Sequence, residues 1–326
     1  MSTTVRPFRF GVQAFNAPTP QAWRDLARRT EDLGYSAFHL ADHYIGGGPQ
    51  LAKTNHPLQT LGSIPAMAVA AEATSTIRIG CRVFCVDYHV PAVLVKHAMT
   101  IDWFSGGRLE FGLGAGWLAG EYEAMGVPLD PPGVRVGRLE EMVQLTRALM
   151  APGEVDHHGT HITTFGFQGE PQPIAAPPPI MVGGGSSRVL AMAGRLADIV
   201  SINFDNSSGV IGPVGVNSGK AAATEQKVQW VADGATAAGR DLPELEIAAY
   251  FTFVVDQPAV VAERFGAAFG MTADDVLEHP HALVGTVDGI CDELVRRREL
   301  YGISYVTVGD SNLEAFAPVV ARLAGT

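Results

Sequence analysis

Short apolar runs rich in β-branched and aromatic residues alternate along this chain with longer stretches in which apolar positions recur every three or four residues. Pro20–Leu33 shows the second pattern: Trp23, Leu26, Ala27, Thr30 and Leu33 fall on one side of a helix, and Arg24, Arg28 and Glu31 on the other. The first pattern predicts eight strands, at Phe8–Ala14, Ala37–Ala41, Ile77–Val86, Arg108–Gly114, Pro179–Gly183, Ile199–Asn203, Glu246–Val255 and Ser304–Val308. Strands separated by helices imply parallel pairing with crossover connections. Eight such units favour a closed (β/α)8 TIM barrel over an open doubly wound sheet, because no linker or composition shift divides the chain. Residues 1–326 therefore read as a single α/β domain.

Three segments exceed a minimal barrel. They are insertions near 44–61, 152–179 and 204–223. Tyr44–Leu61 is irregular and carries Gly46-Gly47-Gly48 and Pro49; Pro152–Pro179 reads as a hairpin excursion; Phe204–Ala223 reads as a long mobile loop and candidate lid. In a barrel the loops after strands form the active-site face, so the first and third of these bear on function.

Composition narrows the partners. The chain has 326 residues, 47% of them hydrophobic, and a formal charge of −11 with its lysines and arginines scattered. A large core is affordable at this length. Nucleic acid and anionic membrane both require a concentrated basic face, and neither is expected as a partner. The first residues lack the apolar centre of a secretion signal, and Cys81, Cys85 and Cys291 are too few for a disulfide scaffold. A cytoplasmic protein acting on a small-molecule substrate is the expectation.

The run Pro179–Leu190 passes from an apolar strand through Gly183, Gly184 and Gly185 into a helix that Ser186 or Ser187 can cap. Glycines admit close backbone approach, and the first N–H groups of a helix point at negative charge, so this is either an anion cradle or a tight turn. The second strand ends in Asp42-His43. A neighbouring carboxylate favours the imidazolium, which makes His43 a candidate proton donor; a structural Asp–His pair is the plainer reading, and His39 with His43 lacks the further ligands that zinc needs. No metal site is expected.

Arg82 stands in an otherwise apolar strand, where a buried guanidinium is costly unless paired. It either borders a ligand at the mouth, or snorkels outward, or meets a carboxylate such as Asp42. Cys81 and Cys85 read as packed thiols. The fourth strand ends in Gly112-Leu113-Gly114-Ala115-Gly116-Trp117, a backbone stripped of side chains over which a flat ring could lie against Trp117. This spacing is not the dinucleotide fingerprint. His157-His158-Gly159-Thr160-His161 reads as a solvated hairpin, and Glu293–Glu299 as a charged helix face.

Asp42-His43, Gly80-Cys81-Arg82-Val83 with Pro91, Ser105-Gly106-Gly107-Arg108-Leu109, Gly112–Trp117, Arg138-Leu139-Glu140-Glu141, Val182–Gly185, Leu283–Thr286 and Tyr301–Tyr305, taken in order, resemble the luciferase-like monooxygenase superfamily. Within it the chain looks most like the branch that uses the deazaflavin coenzyme F420. The resemblance implies a deazaflavin at the C-terminal mouth of the barrel, its phosphate on Gly183, Gly184, Gly185 and Ser186. It implies a non-prolyl cis peptide between Arg82 and Val83, with Cys81, Arg82 and Val83 behind the ring. By the same matching Gln13 lies beneath the ring, Ala115 and Gly116 meet its polar rim, and Asp42 and His43 sit near its reactive edge with His43 as proton donor. FMN on the same cradle, in a monooxygenase, is the alternative; a non-enzymatic cofactor carrier is a third reading. A homodimer is a further implication of the resemblance.

Overall fold

In the computed structural model, residues 5–44 and 46–326 are described; Met1–Thr4, part of the leader reading, and Ile45, within the 44–61 insertion, lie outside the described residues. Eight parallel strands close into a barrel: β1 (Arg9–Ala14), β2 (Ala37–Leu40), β3 (Arg78–Cys85), β4 (Leu109–Gly114), β7 (Ile180–Gly184), β8 (Ile199–Ile202), β9 (Glu244–Ala249) and β12 (Ile303–Gly309). Between β4 and β7 lies the antiparallel hairpin of β5 (Glu154–His158) and β6 (Thr163–Gln168), as the composition of that segment suggests. Outside the barrel, β10 (Phe251–Val254) pairs with β11 (Ala282–Gly285). Among the described residues no helix is long and apolar enough to cross a membrane.

Period-two alternation sorts each strand into an apolar face toward the helices and a polar or small face toward the barrel axis. Phe10, Val12, Ile79, Cys81, Leu109, Phe111, Leu113, Val306 and Val308 join the main core with the helices. The opposite faces place Gln13, His39, Arg82, Glu110, Glu246 and Tyr305, all buried, in the interior. At its N-terminal end Arg9 contacts Glu110 at 2.5 Å and Glu244 at 2.7 Å, and its guanidinium lies 3.8 Å above the Tyr305 ring. Tyr305 donates to Glu110 at 3.0 Å, and His39 Nε2 lies 3.2 Å from the same carboxylate. Burial pushes the Glu110 carboxyl up, but the charge of Arg9 and the hydrogen bond from His39 outweigh it and hold the group at about 2.

Two sequence expectations change. The predicted strand Glu246–Val255 is two strands, β9 in the barrel and β10 outside it, broken at Tyr250. A continuous apolar run does not reveal the turn by which the chain leaves the barrel wall, and β11, only four residues long, carried too little pattern to be seen. The segment 204–223 is less open than a long loop. It contains a short helix, Pro213–Asn217, and the helix Ala221–Ala237 begins before the segment ends. Lys227 on that second helix donates to the carbonyls of Asn203 at 2.6 Å and Ser218 at 2.9 Å, drawing the two ends of the segment together. Burial lowers the Lys227 ammonium to about 8.

The depressed Glu110 carboxyl sets an acid limit on stability. Its contribution is complete above about 4.5, the ordinary glutamate value, and is lost as pH falls toward about 2. Glu110→Gln is expected to flatten that acid limb and to cost about 1–3 kcal/mol at neutral pH. Urea denaturation across pH reads both, and an acid limb as steep in the variant as in the wild type refutes the assignment.

Candidate active site

The C-terminal ends of the barrel strands bring together most of the residues singled out in the sequence. Arg82 on β3 reaches across the interior to Glu246 on β9, its Nε lying 3.1 and 3.0 Å from the two carboxylate oxygens. Nη1 donates to Gln13 Oε1 at 2.9 Å, and Nη2 to Tyr250 Oη at 3.2 Å. The amide of Gln13 turns back to donate to Arg82 O at 3.3 Å, and Tyr250 Oη donates to Asn203 at 3.2 Å. Burial lowers the guanidinium's affinity for its proton, but the carboxylate of Glu246 and Tyr250 raise it further than burial lowers it. Arg82 is therefore a paired interior cation. Its partner is Glu246 and not Asp42.

Asp42 also departs from its expected partner. Its carboxylate accepts from Ser63 Oγ at 2.7 Å and the Cys85 amide at 3.1 Å, and lies 2.8 Å from His89 Nε2. The Ser63 hydroxyl gives its proton to Asp42 and not to an imidazole, so the three do not form a nucleophilic triad. His43 faces the other way, with Nδ1 at 2.9 Å from Glu121 Oε2. Glu121 lies in the first turn of the helix Ala119–Met125 and also accepts from Tyr88 Oη at 2.8 Å and from the Tyr44 amide. Burial raises its carboxyl, but the hydrogen bonds from His43, Tyr44 and Tyr88 hold it below the ordinary glutamate range. An ionised acceptor fixes Nδ1 of His43 as the protonated nitrogen and leaves Nε2 for chemistry.

Aromatic groups wall this corner. Trp117 meets His43 edge-on with centroids 6.1 Å apart, and His56, from the loop after β2, lies 3.9 Å from His43 and 5.9 Å from Phe15.

The glycines at the mouth are explained first by packing. A Cβ on Gly112 would lie 2.0 Å from Cys81 O, and one on Gly114 would lie 2.5 Å from Val83 Cγ2. Gly116, at positive φ, would clash with Tyr122 Oη. The bare fourth strand thus makes room for its own neighbours, a packing demand that stands beside its reading as a platform for a ring. Gly183 likewise faces Val83, and a Cβ on Gly185 would lie 2.0 Å from Phe204 O. The Arg82–Val83 peptide is cis, as the resemblance implied.

The cradle itself remains. Ser186 is the N-cap of the helix Ser187–Leu196, its side chain makes no capping bond, and the first intrahelical bond comes from the Leu190 amide. The N–H groups of Ser187, Arg188 and Val189 have no acceptor within the helix and fit an anion. Ala115 and Gly116 follow β4 at the rim, their carbonyls accepting from Arg135. The Cys81 side chain is not brought to the mouth; it packs in the core, and burial pushes its thiol well up, while Val83 packs inside the barrel against Ala37, Met181, Ile199 and Tyr305. Glu121, Glu246, Tyr250, His56, His89 and Ser63 were missed. Glu246 carried the signal used for Arg82, a charge inside an apolar strand; the others act through pairings between distant segments.

A family model described as luciferase-like monooxygenase matches residues 3–284. The chain is 23% identical to the 5,10-methylenetetrahydromethanopterin reductase of Methanopyrus kandleri over 92% of each chain. It is 31% identical to the FMNH(2)-dependent dimethylsulfone monooxygenase of Pseudomonas putida over 43% of this chain and 39% of that one. The solved coenzyme F420 dependent tetrahydromethanopterin reductase of M. kandleri superposes with a TM-score of 0.74 and 22% identity, covering 98% of this chain and 99% of that chain.

Glu246→Ala leaves the Arg82 guanidinium buried beside only neutral partners. The variant is expected to lose about 3–5 kcal/mol in urea denaturation, and the double variant with Arg82→Leu to regain most of it. Equal losses in the single and double variants rule out the ion pair as the cause.

Proposed function

The chain belongs to the luciferase-like monooxygenase family, and from that premise we propose that it is an oxidoreductase dependent on coenzyme F420, moving a hydride between the deazaflavin and a small organic substrate. The observation that carries this reading is the Glu121-held imidazole of His43 on the rim that also bears the glycine cradle. A hydride delivered to carbon is matched by a proton, and a ring with one nitrogen locked and the other open suits a proton donor. Likeness over 98% of this chain to the solved coenzyme F420 dependent reductase, against alignment over less than half for the FMNH(2)-dependent sulfone monooxygenase, supports the deazaflavin over the flavin.

In this proposal Gly183, Gly184, Gly185, Ser186 and the amides of the following helical turn hold the coenzyme's phosphate. Gln13, Arg82, Val83, Ala115 and Gly116 border its ring, and Cys81 contributes main chain only. When bound, the coenzyme supplies a ring carbon that gives or takes a hydride. The protein's own part is orientation and proton handling. Asp42, tied to Ser63, Cys85 and His89, fixes the end of β2 so that His43 leaves it in one direction, and Glu121 sets the tautomer of His43. Trp117 and the loop carrying His56 keep water from that corner. Asp42 is thus a positioning residue, with the supporting carboxylate supplied by Glu121.

The same cradle suits FMN, and the 31% identity to an FMNH(2)-dependent enzyme favours that second reading. Titrating the purified protein with each coenzyme and following its fluorescence decides between them: F420 is expected to bind at least about tenfold more tightly, and tighter FMN replaces this reading with the monooxygenase one. Tight binding with no oxidation of reduced F420 across a panel of quinones, enones and lactones points instead to a carrier. His43→Asn is expected to lower turnover about 100- to 10,000-fold while leaving coenzyme affinity unchanged; retained turnover removes His43 as the proton donor.

A further inference from the structure

His56 has no part in the scheme above beyond shielding, yet its placement is specific. Its ring centroid lies 3.9 Å from that of His43 with the planes tilted by 52°, so the two imidazoles are in direct contact. Each imidazole is locked through Nδ1: His43 to Glu121 at 2.9 Å, and His56 to the Pro57 carbonyl at 2.7 Å. A carbonyl only accepts, so Nδ1 of His56 carries the hydrogen and its Nε2 is a bare acceptor. The amide of His56 is tied in turn to Thr54 Oγ1 at 3.2 Å, which fixes the ring's base.

The two rings lie in order from the interior outward. His43 follows the buried Asp42, whereas His56 sits between the exposed residues Asn55 and Pro57. The groups facing the pair are Glu121 on its helix, Tyr88 and Tyr44 through that carboxylate, and the rings of Phe15 and Trp117. Among the described residues Glu121 is the one carboxylate in hydrogen-bond contact with the pair, and it contacts His43.

We propose that His56 is a proton relay for His43: it takes a proton from water at Nε2 and passes it inward to His43, which holds it for the substrate. This deepens the hydride-transfer reading and rests on it for its place in turnover. Each cycle moves one proton from solvent to His56 Nε2, then to His43 Nε2, then to the product, and both Nδ1 hydrogens stay in place. His56 acts through His43 and is a positioning residue; it does not meet the reacting carbon. Two imidazoles this close disfavour a second charge. Burial, and then the charge of His43, push His56 down to about 4.

Two measurements test this. In the protein without coenzyme, NMR titration of the ring resonances is expected to place His56 near 4 and to move it up by at least about one unit in His43→Asn; an unmoved midpoint refutes the relay whichever coenzyme the barrel takes. In the F420-loaded enzyme, His56→Phe is expected to lower steady-state turnover about tenfold or more while single-turnover hydride transfer keeps its rate. Free imidazole is expected to restore His56→Ala, which a packing defect would not allow. Unchanged turnover in His56→Phe, or His56→Ala without rescue, overturns the proposal; if His56→Phe does not fold, His56→Gln replaces it in the comparison. Failure of the coenzyme reading appears separately, as absent F420 binding with the first measurement intact.

Discussion

A guanidinium inside a barrel of eight strands needs a carboxylate within reach, and Arg82 finds one on the strand diametrically opposite its own. The pair spans the interior. Because Arg82 also holds Gln13 and Tyr250, and Tyr250 reaches Asn203, one cation joins the ends of β1, β3 and β9 to the segment that follows β8. Buried charges gain little net stability from pairing, but their geometry is exacting. The interior below the candidate site is accordingly a hydrogen-bonded plate, with a second charged layer, centred on Arg9 and Glu110, in the same barrel.

The rim is organised by a different device. Glu121 accepts from a side chain on the loop after β2, from the backbone of that loop and from Tyr88 after β3, so a helix after β4 gathers two segments onto one carboxylate. Orientation of His43 is thus set by a residue 78 positions away. The interior pair and the rim carboxylate divide the labour between a rigid floor and a directed imidazole, as expected of a site whose loops vary on a constant barrel.

Much of the architecture was legible because barrel strands keep one apolar face, and that face shows as runs of Val, Ile, Leu and Phe. The strand Glu246–Val255 was misread for the same reason: an apolar run continues past Tyr250 although the backbone leaves the wall there. Arg82 stood out as a charge among apolar neighbours, and Glu110 and Glu246 offered the same signal, which becomes decisive only when the two signs are matched across the axis. Asp42 and His43 were adjacent in sequence and were read as partners, but consecutive residues at a strand end point apart, and each found its partner elsewhere. The glycines of β4 answer a second demand that sequence alone does not show: Val83, Cys81 and Tyr122 lie where side chains at these positions would begin.

The ammonium of Lys227 grips two main-chain oxygens, those of Asn203 and Ser218, and the charge of Asp205, within the stretch between them, favours its protonated form. The stretch it encloses is held by other contacts: Gly209 O accepts from Ala119, Ile211 is bonded to Thr54 and Asn55, and Val216 packs with Phe204 in a buried cluster. A change within that stretch therefore reaches the loops after β2 and β4 as well as the helix that closes it.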